Sequence, residues 1–112
     1  MTGHHILGTF ILDNNKELKN VEDIRAIILA CAREADMTVV GEVFHQFKPI
    51  GCTGALILAE SHFTIHTWPE YNKLAYDIYT CNGDHKILKA HNYLRDYFSP
   101  IRDFSRHIVR DI

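Results

Sequence analysis

From His62 to Pro69 the chain alternates residue by residue, with Phe63, Ile65 and Thr67 on one face and His62, Thr64 and His66 on the other. Lys73 to Cys81 repeats the pattern, Leu74, Tyr76, Ile78 and Thr80 lying opposite Ala75, Asp77, Tyr79 and Cys81. A period of two sends successive side chains to opposite faces of a strand, so both segments belong to a sheet. Thr38 to Phe47 is β-branched and aromatic and is stopped by Pro49 and Gly51; His4 to Asp13 and Gly54 to Glu60 also read as strands. Val21, Ile24, Ile28, Cys31 and Ala35 recur at steps of three and four behind a capping Asn20, which predicts an amphipathic helix with Cys31 on its buried stripe.

Asn82-Gly83-Asp84 supplies a turn and a cap for a second helix. Its apolar stripe runs Ile87, His91, Leu94 and Phe98, with Leu88 and Tyr97 beside it and Pro100 beyond its end. Ile101 to Ile112 reads as a last strand of weak alternation. The order of strand, helix, three or four strands, helix, strand implies an α+β fold: a two-layer sandwich of an antiparallel or mixed sheet with both helices on one face.

At 112 residues the chain has the size of one domain, and so small a core is helped by pairing with a second copy. The net charge of -2, with its cations scattered, gives no footprint for nucleic acid. No apolar run approaches the roughly 20 residues of a membrane helix, and the start, MTGHHILGTF, lacks a basic region followed by an apolar one. A cytoplasmic protein is expected. Cys31, Cys52 and Cys81 are odd in number and have no CxxC spacing, which disfavours a disulfide framework or a zinc ribbon. His62, His66, Cys81 and His85 carry zinc-ligand chemistry, but a spacing of four needs a helix to bring two imidazoles together, and this segment reads as strand.

A glutamate followed by a serine carries no information alone; the neighbours of Glu60-Ser61 do. Gly51-Cys52-Thr53-Gly54, Glu60-Ser61-His62, Ile65-His66-Thr67-Trp68-Pro69-Glu70, Asp77 and Thr80-Cys81, with Gly3-His4-His5 near the start, together resemble the prokaryotic S-adenosylmethionine decarboxylases. The likeness is densest from Phe44 to Cys81. It implies a proenzyme that cuts itself between residues 60 and 61, giving a β-chain of 1–60 and an α-chain of 61–112. Ser61 would attack the Glu60 carbonyl, turning amide into ester; loss of the Ser61 α-proton would then expel the Glu60 carboxylate, and hydrolysis of the dehydroalanine would leave a pyruvoyl group and release ammonia. The resemblance gives His66 the role of base in that elimination and Thr53, where relatives commonly have Ser, a hydroxyl that assists the acyl shift.

Decarboxylation of an amino acid leaves an electron pair on the α-carbon that no ordinary side chain delocalises, so an electrophilic group is needed. In the family the pyruvoyl carbonyl takes the substrate amine as a Schiff base, and neither metal nor pyridoxal phosphate is required. The same resemblance assigns reprotonation to Cys81, stacking on adenine to Phe47 and the ribose hydroxyls to Glu70. Trp68 reads equally as pocket wall or packing anchor. Cys31 reads as core, Cys52 as structural, and Asp77 as a structural carboxylate ahead of a catalytic acid.

The implied function is decarboxylation of S-adenosylmethionine to the aminopropyl donor for spermidine synthesis, in a dimer paired sheet to sheet with active sites at the interface. The chain departs from the family pattern in three places. Asn72-Lys73-Leu74 stands where Gly-Tyr-Ala is common, Cys52 where Val is common, and Tyr76 where a small aliphatic is common. Retention of Phe47 and Glu70 favours a nucleoside substrate, but the changes after Glu70 keep open an arginine or ornithine decarboxylase of the same family; a third reading is an unprocessed, non-enzymatic dimeric binding module. Along an ideal strand Ser61 and His66 point to opposite faces. For the two to work on the same bond, the backbone around Glu60, Ser61 and His62 must turn or bulge.

Overall fold

A computed structural model describes residues 1–81 and 83–112. Its strands are β1 (Thr2–Ile11), β2 (Val39–Gln46), β3 (Cys52–Leu58), β4 (Ser61–Trp68), β5 (Lys73–Thr80) and β6 (Arg102–Asp111), and its helices α1 (Val21–Glu34) and α2 (His85–Phe98). The six strands form one sheet in the order β2-β3-β4-β5-β1-β6, every pairing antiparallel. The expected two-layer α+β fold is the one observed.

The alternation seen in the sequence sorts the sheet into two faces. Phe63, Ile65, Leu74, Tyr76 and Ile78 join Phe10 and Leu56 beneath the helices. Ile24, Ile27, Ile28 and Cys31 of α1 and Ile87, Ala90 and Leu94 of α2 close the core from above. Burial of this apolar surface is the main source of stability. Cys31 is fully buried, donates to the Ala90 carbonyl at 3.3 Å and is pushed up to about pKa 12 by burial, as a core thiol should be. In α2 the small Ala90 is part of the buried stripe, whereas Leu88 and Tyr97 are half-exposed at its margin. Asn20 and Asp84 occupy the two N-cap positions, but neither side chain makes a capping hydrogen bond. Gly83 takes a φ of 86°, consistent with the turn expected there; Asn82, also assigned to that turn, lies outside the described residues.

Among the described residues no helix covers the other face of the sheet. His62, Thr64, His66 and Trp68 of β4 point to it, together with Asp77 and Tyr79 of β5, His5 and Leu7 of β1, and Thr53 and Ile57 of β3. Leu7, Ile57 and Trp68 are substantially exposed there. No helix among the described residues is long and apolar enough to cross a membrane.

Candidate active site

The β3–β4 hairpin is tight. Leu58 pairs with Ser61, so Ala59 and Glu60 alone make the turn. Glu60 takes a φ of 64°, a left-handed conformation that costs a residue with a Cβ about 1–2 kcal/mol. The residue that donates the Glu60–Ser61 carbonyl is therefore backbone-strained and exposed at a hairpin tip. Cys81, just past the end of β5, approaches the same place: its Sγ donates to the Glu60 carbonyl oxygen at 3.2 Å and lies 3.7 Å from Glu60 Oε2.

The sequence demanded a turn or bulge at Glu60, Ser61 and His62 if Ser61 and His66 were to meet. The structure corrects this expectation. The departure from strand geometry falls on Ala59 and Glu60, while β4 is in unbroken register from Ser61 to Trp68. Ser61 has the parity of the core-facing Phe63 and Ile65, and His66 the parity of the bare face. Five residues of extended strand also separate them by about 17 Å. Within one chain His66 does not reach Ser61.

His66 instead meets Thr53, directly opposite it in register, with Thr53 Oγ1 3.0 Å from His66 Nδ1. The two residues that the family pattern pairs in processing are thus a hydrogen-bonded couple on the bare face. Trp68 is next along, its ring 6.1 Å from that of His66. Beyond it Phe47, Trp68 and Glu70 line a single cleft of about 460 Å³, together with Lys48, Pro49, Ile50 and Thr67. All three residues expected to bind substrate are brought together, and Trp68 is a wall of the cleft. One chain therefore holds the candidate residues in two separate groups, Glu60, Ser61 and Cys81 at one end of β4 and Thr53, His66 and the cleft at the other.

Gln46 is a positioning residue that sequence reasoning missed. Its amide nitrogen donates to the carbonyls of Lys19 (2.9 Å), Phe47 (3.0 Å) and Gly51 (2.8 Å), and its oxygen accepts from the Val21 amide at 2.6 Å. One side chain ties the start of α1 to the loop that carries Phe47. A glutamine at a strand end gives no pattern by which this could be read. Thr67, buried behind the cleft, accepts from the Cys52 amide at 2.9 Å and donates to the Leu18 carbonyl at 2.8 Å. Cys52 faces the core and its thiol is pushed up chiefly by burial, in keeping with a structural role.

Asp77 sits between two imidazoles, His5 Nδ1 at 3.6 Å and His62 Nε2 at 3.7 Å. Its buried Oδ1 accepts no hydrogen bond among the described residues. Tyr79 packs over the same group, 4.6 Å from the His5 ring and 5.4 Å from that of His62. His62 thus pairs with Asp77 and His66 with Thr53, and among the described residues no group of three His, Cys, Asp or Glu side chains has an arrangement that could hold a metal ion. Tyr76, whose size raised a question about the pocket, does not enter the cleft. It is buried on the helix side beside Phe10, bonded to His91, and its ring occupies the space a side chain at Gly8 would need.

A family model described as S-adenosylmethionine decarboxylase matches residues 4–111. The chain belongs to the S-adenosylmethionine decarboxylase family. It is 43% identical over 93 residues to the S-adenosylmethionine decarboxylase proenzyme of Thermosipho melanesiensis, covering 83% of this chain and 72% of that one. The proenzyme of Archaeoglobus fulgidus is 37% identical over 111 residues, 99% of this chain and 97% of its own. In structure it superposes on the adenosylmethionine decarboxylase from Aquifex aeolicus with a TM-score of 0.93 at 34% identity, covering 98% of this chain and 91% of that one.

Proposed function

We propose that the chain cuts itself between Glu60 and Ser61 and, as a pair of copies stacked on their bare sheet faces, decarboxylates S-adenosylmethionine to the aminopropyl donor for spermidine synthesis. The observation that carries this is the Cys81 thiol donating to the Glu60 carbonyl at a strained hairpin tip. When Ser61 attacks that carbonyl, negative charge grows on its oxygen, where a donor already in place lowers the barrier. The strain at Glu60 favours the same step, because rupture of the chain there releases it.

Cleavage at this position is also compatible with the fold. β1 of the 1–60 fragment pairs with β5 and β6 of the other, and β3 with β4, so the sheet ladders and the shared core hold the two fragments together. The new chain end then lies beside Cys81. A pyruvoyl group at residue 61 supplies an electron-accepting carbonyl next to the substrate's α-carbon. Cys81, the thiol in contact with that end, is placed to return a proton to that carbon.

The separation of the two groups supports the pairing. Thr53 and His66 stand about 17 Å along the strand direction from Ser61, yet a two-fold partner laid over the bare face with its axis running across β4 brings each end of β4 against the opposite end of its counterpart. The Glu60–Ser61–Cys81 group of one copy then meets Thr53, His66 and the cleft of the other. In that cleft the flat Phe47 and Trp68 rings suit a heteroaromatic base, and the Glu70 carboxylate suits the two hydroxyls of a ribose. Measuring carbon dioxide release from S-adenosylmethionine, arginine and ornithine separately tests the reading. Turnover of S-adenosylmethionine is expected, and turnover of arginine or ornithine alone overturns it.

A further inference from the structure

Lys73 opens β5 directly opposite Trp68, the last residue of β4. Asn72, left-handed with a φ of 52°, ends the 3₁₀ turn Pro69–Tyr71 and delivers Lys73 into this position. The Lys73 ammonium lies 5.3 Å from the centre of the Trp68 ring and 5.7 Å from that of Tyr71. A cation at this range is drawn to the electron-rich face of an aromatic ring, most strongly to tryptophan. Trp68 lines the cleft and Lys73 does not, so the lysine acts on the cleft through the indole. Its charge matters as well as its contact: Lys48 and Glu70 line the cleft with opposite signs, and Lys73 behind the indole leaves cations outnumbering the single carboxylate.

We propose that Lys73, which stands where the family pattern commonly has tyrosine, is a positioning and specificity-determining residue. It fixes the indole wall against which a neutral heteroaromatic base stacks, and its charge weighs against a substrate whose far end is an ammonium or guanidinium. Glu70 alone would attract such a cation, whereas Glu70 with two lysines nearby offers it no unopposed carboxylate. The proposal rests on the chain being an S-adenosylmethionine decarboxylase, and it names the residue by which this cleft prefers a nucleoside to a basic amino acid.

Trp68 is the sole tryptophan, so intrinsic fluorescence reports on this ring alone. The experiment compares the cleaved enzyme with Lys73→Met and Lys73→Arg. Lys73→Met is expected to shift the Trp68 emission, to raise KM for S-adenosylmethionine by roughly two- to five-fold with kcat unchanged, and to let arginine compete more tightly. Lys73→Arg, which keeps the cation, is expected to restore all three. Unmoved KM and emission in Lys73→Met, or a Lys73→Arg enzyme that behaves like Lys73→Met, overturns the role of Lys73 while leaving the decarboxylase reading intact. Failure of the unaltered enzyme to turn over S-adenosylmethionine overturns both.

Discussion

The Sγ of Cys81 lies 3.2 Å from the carbonyl oxygen of Glu60, so this thiol meets the peptide group at which we propose the chain cuts itself. The sequence assigned Cys81 to reprotonation alone, which would leave cleavage intact in Cys81→Ala. The contact suits an earlier task as well, stabilising charge on that carbonyl oxygen during the proposed cleavage. Cys81→Ala should slow self-cleavage, by up to the order of 100-fold if the thiol supplies most of the oxyanion stabilisation, and Cys81→Ser should recover part of that rate. A time course on denaturing gels checks this. Equal cleavage rates in Cys81→Ala and the unaltered chain would confine Cys81 to the later reaction.

The two groups at opposite ends of β4 make the pairing of copies testable by mixing. Ser61→Ala and His66→Ala chains should each stay uncut when expressed alone. Co-expressed, they should form mixed pairs in which His66 of the Ser61→Ala chain acts on Ser61 of the other. Only the His66→Ala chain should then be cut, and activity should return to roughly a quarter of the unaltered level, since half of random pairs are mixed and each has one complete site. Absence of any cut chain in the mixture would show that the two residues do not work across copies.

Much of this was legible in one dimension. β4 and β5 declared themselves because one face of each is buried and the other is not, which is the condition under which a period of two survives in sequence. β6 was faint for the converse reason: all ten of its residues are exposed, so no hydrophobic period is imposed on it. The buried stripe of α2 was read around Ala90 because a small residue fills a close helix contact without an apolar signal of its own. At the site, the motif identified Thr53 with His66 and Phe47 with Trp68 and Glu70, and each set is together in space. The motif could not say that Ser61 and His66 belong to opposite ends and faces of one strand. The bulge was expected at Ser61 because the sequence offered no other way for that residue to meet His66; the structure keeps β4 in register from Ser61 to Trp68.

Acid should destabilise the core through His91. Burial beside Tyr76 holds its imidazole below the ordinary histidine range. A histidine that is harder to protonate folded than unfolded makes the unfolded state the better proton binder, so stability falls as pH drops. The loss should begin near the unfolded pKa of about 6.5 and level off once pH has passed below the folded value. Thermal unfolding between about pH 7.5 and about pH 5.5, about one unit either side of that pKa, checks the sign. His91→Gln, which keeps a polar partner for Tyr76 but does not titrate there, should flatten this slope; an equal slope in both proteins would place the acid sensitivity elsewhere.

The central claim is that the Glu60–Ser61 bond breaks in the protein itself, and intact mass under denaturing conditions measures this directly. Two species are expected, one ending at Glu60 and one beginning at residue 61 with a keto group in place of its amine, the latter shifted in mass by borohydride reduction. A single uncut species of 12.9 kDa that does not respond to borohydride would contradict the account.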